Sequence, residues 1–85
     1  MIDMEKLNAG LEKLTGHDME QAAREERRAG SQAALLDVEK SFQARLAAKA
    51  LQIPLVDIRD LPIREYNEVC NNVLIFLNRS SATEE

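Results

Sequence analysis

Residues 62–78 read Pro62-Ile63-Arg64-Glu65-Tyr66-Asn67-Glu68-Val69-Cys70-Asn71-Asn72-Val73-Leu74-Ile75-Phe76-Leu77-Asn78. Within them Ile63, Tyr66, Cys70, Val73 and Leu77 recur at alternating steps of three and four, which gathers them on one side of an α-helix. Pro62 suits the first turn, where its missing N–H costs nothing. This spacing predicts a helix over 62–78 with an apolar seam, and it sets the fold class as all-α. The opposite side carries Arg64, Glu68, Asn71, Ile75 and Arg79, so Ile75 is the apolar exception on a polar face.

Working backwards, Pro54 to Asp60 reads as a short helical turn opened by proline, with Leu55, Ile58 and Leu61 beneath it. Ile53-Pro54 ends the helix before, because a residue preceding proline is pushed out of the α region. That helix is predicted over 33–51. Leu35, Val38, Phe42, Leu46 and Ala50 form one stripe and Leu36, Ala47 and Leu51 a second, so it is the expected central element. A third helix is predicted over 16–29: Thr15 and Asp18 have capping-box spacing, Arg27 and Arg28 fall in the last turn and Gly30 supplies the stop. Its apolar residues are few, and Glu20, Glu25 and Glu26 read as solvated. The expected architecture is three main helices plus the turn at 54–60, forming a domain over 15–79. Residues 1–14 are left as helix or loop, and 80–85 as a disordered tail.

The chain has 85 residues, a net charge of −4, 45% hydrophobic residues and one cysteine. One small acidic domain follows. No segment is a basic patch, which argues against nucleic acid, where Lys and Arg must neutralise phosphates. The longest fully apolar run, Val73 to Leu77, is far below the roughly 20 residues of a membrane span. No secretory leader pattern is visible, and the lone Cys70 cannot close an internal disulfide. A soluble, cytoplasmic protein is expected.

No catalytic residues, metal ligands or cofactor site emerge. His17 is the only imidazole and falls at a helix start. Cys70 lies on the apolar seam without a histidine partner in the pattern, and the three glycines are too far apart for a phosphate loop. An enzyme is therefore not expected. Residues 46–60 resemble a helix-turn-helix in outline, but the second helix would show two aspartates against Arg59 alone, a poor reader of bases. The last helix carries more apolar surface than one neighbour would cover. Tyr66, Val69, Ile75 and Phe76 are the candidate partner-binding residues.

Two stretches together resemble a known family. Leu11-Glu12-Lys13-Leu14-Thr15-Gly16-His17-Asp18 resembles the "L-x-x-L-T-G-x-D" opening of phage tail assembly chaperones. Ala47-Ala48-Lys49-Ala50-Leu51-Gln52-Ile53-Pro54, Asp60-Leu61-Pro62, Tyr66-Asn67-Glu68-Val69 and Phe76-Leu77 resemble their closing region. Order and spacing over residues 11–77 carry the likeness, since each motif is short. Gln52 stands where the family commonly has glycine before its "I-P" pair. The resemblance implies a non-enzymatic assembly factor of a long-tailed phage or prophage. Such a factor binds the tape measure protein, assists tail tube protein assembly in the host cytoplasm and leaves the finished virion. Homo-oligomer formation stays open. The alternatives are a small phage DNA-binding regulator using residues 46–60, or an acidic protein–protein adaptor.

Overall fold

The structure is a computed structural model that describes residues 2–30 and 39–82. Among these residues the fold is all-α, as the sequence predicts: α1 Met4–Lys13, α2 Gly16–Arg28, α3 Lys40–Leu51, α4 Leu55–Arg59 and α5 Ile63–Ala82.

The N-terminal segment resolves as a helix because it is capped. The Asp3 carboxylate accepts from the Glu5 N–H at 2.9 Å and the Lys6 N–H at 3.4 Å, satisfying two of the donors a helix start leaves open. Leu7, Gly10 and Leu11 then point into the core. Residues 1–14 are thus no separate appendage to a 15–79 domain; α1 packs against both α3 and α5. At α2 the capping box forms as expected. The Thr15 hydroxyl accepts from the Asp18 N–H at 3.3 Å, and Asp18 Oδ2 accepts from the Thr15 N–H at 3.0 Å. That backbone hydrogen bond from Thr15 is the main cause holding the Asp18 carboxyl below its ordinary pKa.

Two helix ends differ by more than one residue from the sequence expectation. The helix foreseen over 33–51 begins at Lys40, since Glu39 has extended backbone (φ −84°, ψ 127°). The start is tied by neighbours: the Ser41 hydroxyl donates to Glu26 at 2.8 Å, and the Cys70 thiol donates to the Lys40 carbonyl at 3.5 Å. Leu35, Leu36 and Val38, which helped define that expectation, lie outside the described residues. The last helix does not stop at 78 but continues through Ala82, taking in part of the expected 80–85 tail. Residues 79–82 contain neither glycine nor proline, so nothing local halts the ladder. Its first turn also differs: Ile63, assigned to the seam, is 80% exposed, because a stripe is buried only where a neighbour lies across it.

Helix α3 is central, as predicted, and touches all four other helices. Six of its residues, Phe42, Gln43, Ala44, Leu46, Ala47 and Ala48, are buried. Around them pack Leu7 and Leu11 of α1, Ala22 of α2, Ile58 of α4, and Val69, Cys70 and Val73 of α5. Small side chains on α3 allow this approach from several sides. Burial also pushes the Cys70 thiol pKa up, which disfavours the thiolate.

The turn from α3 to α4 carries strain. Gln52 adopts the left-handed conformation, φ 58° and ψ 44°, where a side chain costs about 1–2 kcal/mol. Part of this is regained because its N–H and that of Ile53 cap α3 carbonyls. Gln52→Gly is expected to stabilise the fold by about 0.5–1 kcal/mol after the added chain entropy of glycine is counted. A thermal melt would then shift upward by about 3–8 °C, and an unchanged or lower midpoint would contradict the strain.

Candidate functional site

Two open clefts among the described residues bear on function, one charged and one apolar. The larger cleft, about 620 Å³, lies between the C-terminal ends of α1 and α3 and is lined by Lys6, Lys13, Lys49, Asp18 and neighbouring backbone. Lys13 and Lys49 fall in the last turns of those helices, where cations offset the negative helix ends; Lys49 also pairs with Glu25 at 3.6 Å. His17 is exposed on α2, whereas Cys70 is buried beneath the start of α3. Among the described residues no group of three or more His, Cys, Asp or Glu is placed to hold a metal ion, and no helix is long and apolar enough to cross a membrane.

The carboxylates do not all behave as the sequence suggests. Glu26, read as solvated, is 2% exposed. Its oxygens accept from Ser41 Oγ at 2.8 Å and Arg45 Nε at 2.9 Å, and Arg45 also reaches Glu25 at 3.5 Å. Each of its two oxygens accepts from a donor on α3, so this is a clamp between two helices.

The candidate partner-binding residues separate. Val69 is wholly buried in the core and presents nothing to a partner without opening the bundle; it lies three residues after Tyr66 and four before Val73, on the flank of the buried seam. Tyr66 is half-buried beside Arg59, Leu61 and Ile63, and burial raises its phenol pKa. Phe76 is half-buried and packs against the core. Ile75 is 57% exposed. Ile75 lies nine positions after Tyr66, about two and a half turns, which puts the two on opposite sides of α5, so the four form no single surface.

Ile75 instead has companions that sequence reasoning missed. It lines an open groove of about 420 Å³ with Ile2 and Met4 from the N-terminal segment and Glu65, Glu68, Asn71 and Asn72 from α5. The groove is braced at two points. The Ile2 N–H donates to Glu65 Oε2 at 2.8 Å, and Asn72 Nδ2 donates to Asn8 Oδ1 at 2.7 Å. Both link residues more than sixty apart in sequence, which no local pattern reveals. The Asp3 cap was the one available signal that Ile2 and Met4 lead into an ordered helix.

The helix-turn-helix outline resolves into α3, the Gln52 turn and an α4 of five residues. Val56, Asp57 and Arg59 are its exposed side chains, followed by the exposed C-cap Asp60. The fold and site define a small all-α protein with an apolar groove edged by acidic and amide groups. In comparisons with known proteins, the chain matches no family model, no characterised protein and no solved structure.

Proposed function

We propose that this protein is a non-enzymatic tail assembly chaperone of a long-tailed phage or prophage. It binds the tape measure protein in the host cytoplasm, assists tail tube protein assembly and is not retained in the virion. The proposal rests on the ordered motifs between residues 11 and 77 described above. The single structural observation that supports it is the groove around Ile75, an apolar site on the surface of a small acidic domain, suited to covering a helical stripe of a client. The net charge of −4 helps keep such a complex soluble.

The test is co-expression with the cognate tape measure protein followed by size-exclusion chromatography. A soluble complex is expected. Ile75→Asp should weaken it about tenfold or more while changing the domain's own stability by less than about 0.5 kcal/mol, as for an exposed substitution. A tape measure protein equally soluble alone, with no complex, overturns the proposal. The adaptor and DNA-binding readings would then lead, and duplex binding that falls steeply with added salt would identify the second.

A further inference from the structure

We infer that the groove over Ile75 takes an amphipathic helix of a partner protein whose apolar stripe is edged by lysine or arginine. The inference rests on the chaperone reading for the existence of a client and adds the client's chemistry.

Charge complementarity selects this occupant. The apolar walls are Ile2, Met4 and Ile75, and every polar side chain lining the groove is a carboxylate or a carboxamide: Glu65, Glu68, Asn71 and Asn72. Among the described residues no lysine or arginine lines it. Glu65 and Asn72 hold the walls together through Ile2 and Asn8. Glu68 and Asn71 are exposed on the same face of α5 as Ile75, and Glu68 makes no ion pair among the described residues. A helix seated with its apolar stripe on Ile2, Met4 and Ile75 would bring its flanking residues to this rim. Cations there gain from Glu68 and donate to the Asn71 carbonyl oxygen; acidic flanks are repelled. A second copy of this chain fits poorly. Its one described helix with cations and no acids, α3, carries Lys40, Arg45 and Lys49 but has Phe42, Leu46 and its central alanines buried in the core, so it has no free apolar stripe to offer.

The probe is a fluorescent synthetic helix of about 18 residues with a leucine stripe flanked by lysines, titrated with the full chain and followed by anisotropy. A second peptide has glutamate in place of each lysine. The lysine peptide is expected to bind saturably and at least about tenfold tighter than the glutamate peptide. Glu68→Lys should weaken it about five- to tenfold and Ile75→Asp at least as much, whereas Asp57→Lys, an equal charge change on α4, should stay within about twofold. Equal binding of the two peptides, absence of saturable binding, or equal loss from Asp57→Lys and Glu68→Lys overturns the inference; the last result would mean that net charge alone attracts the peptide. The outcome is separable from the chaperone test. A tape measure complex that resists both Glu68→Lys and Ile75→Asp removes the groove and leaves the chaperone function. Groove-dependent peptide binding with no tape measure complex does the reverse.

Discussion

Gly10→Ala is expected to destabilise the fold by about 3 kcal/mol or more, a large fraction of the total for a domain of this size. A Cβ built on Gly10 falls onto the Ala50 carbonyl oxygen and lies 2.7 Å from its carbon. The obstacle is backbone, so no rotamer change relieves it. Helix α1 must lift away from α3, and Leu7 and Leu11, now 0% and 4% exposed, lose part of a burial worth about 1.5–3 kcal/mol each. The better helix propensity of alanine returns only about 1 kcal/mol. A drop in melting temperature of about 12 °C or more should follow. Gly16→Ala is the control, because its Cβ would meet nothing within 4 Å; it should be neutral or slightly stabilising. If both variants melt together near the parent, the close crossing of α1 and α3 is wrong.

The second large effect belongs to Glu26. Glu26→Ala leaves the Ser41 hydroxyl and the Arg45 guanidinium without their buried acceptor, and breaking a buried pair from one side costs about 3–5 kcal/mol. The lower end applies here, since the Arg45 side chain keeps 15% exposure and a contact to Glu25 at 3.5 Å. Glu26→Gln retains shape and one acceptor oxygen and should cost about 1–2 kcal/mol. The decisive measurement is a double-mutant cycle with Arg45→Met in urea unfolding. Glu26→Ala with Arg45→Met should be less damaging than the sum of the singles, giving a coupling of about 1.5 kcal/mol or more. A coupling below about 0.5 kcal/mol, the size of an exposed pair, would show that the two side chains are solvated after all.

These two sites mark where sequence reading stops. Gly10 looks like an interruption of the Met4, Leu7, Leu11, Leu14 stripe, yet it is the place where α1 meets backbone of α3. Glu26 sits among arginines and glutamates and looks solvated, but Ser41 and Arg45 from α3 enclose it. Within the candidate site, the exposure of Ile75 was legible because it stands among Arg64, Glu68 and Asn71 on the polar side of a clear helical period. Its partners Ile2 and Met4 were not, since they arrive from the other end of the chain. Val69 was misplaced for a related reason: helical geometry gives the angle between two side chains but not which neighbour covers them.

The sequence by itself determined what is local. It fixed the all-α class, the Thr15–Asp18 capping box, the end of α2 near Gly30, the turn opened by Pro54 and the amphipathic period of α5, because each depends on residues within one or two helical turns. Only the tertiary structure decided the start of α3 at Lys40, the burial of Glu26, the exposure of Ile63 and the groove joining Ile2 and Met4 to α5. Those features depend on which helix faces are brought together across tens of residues. Helical periodicity orients the faces without pairing them.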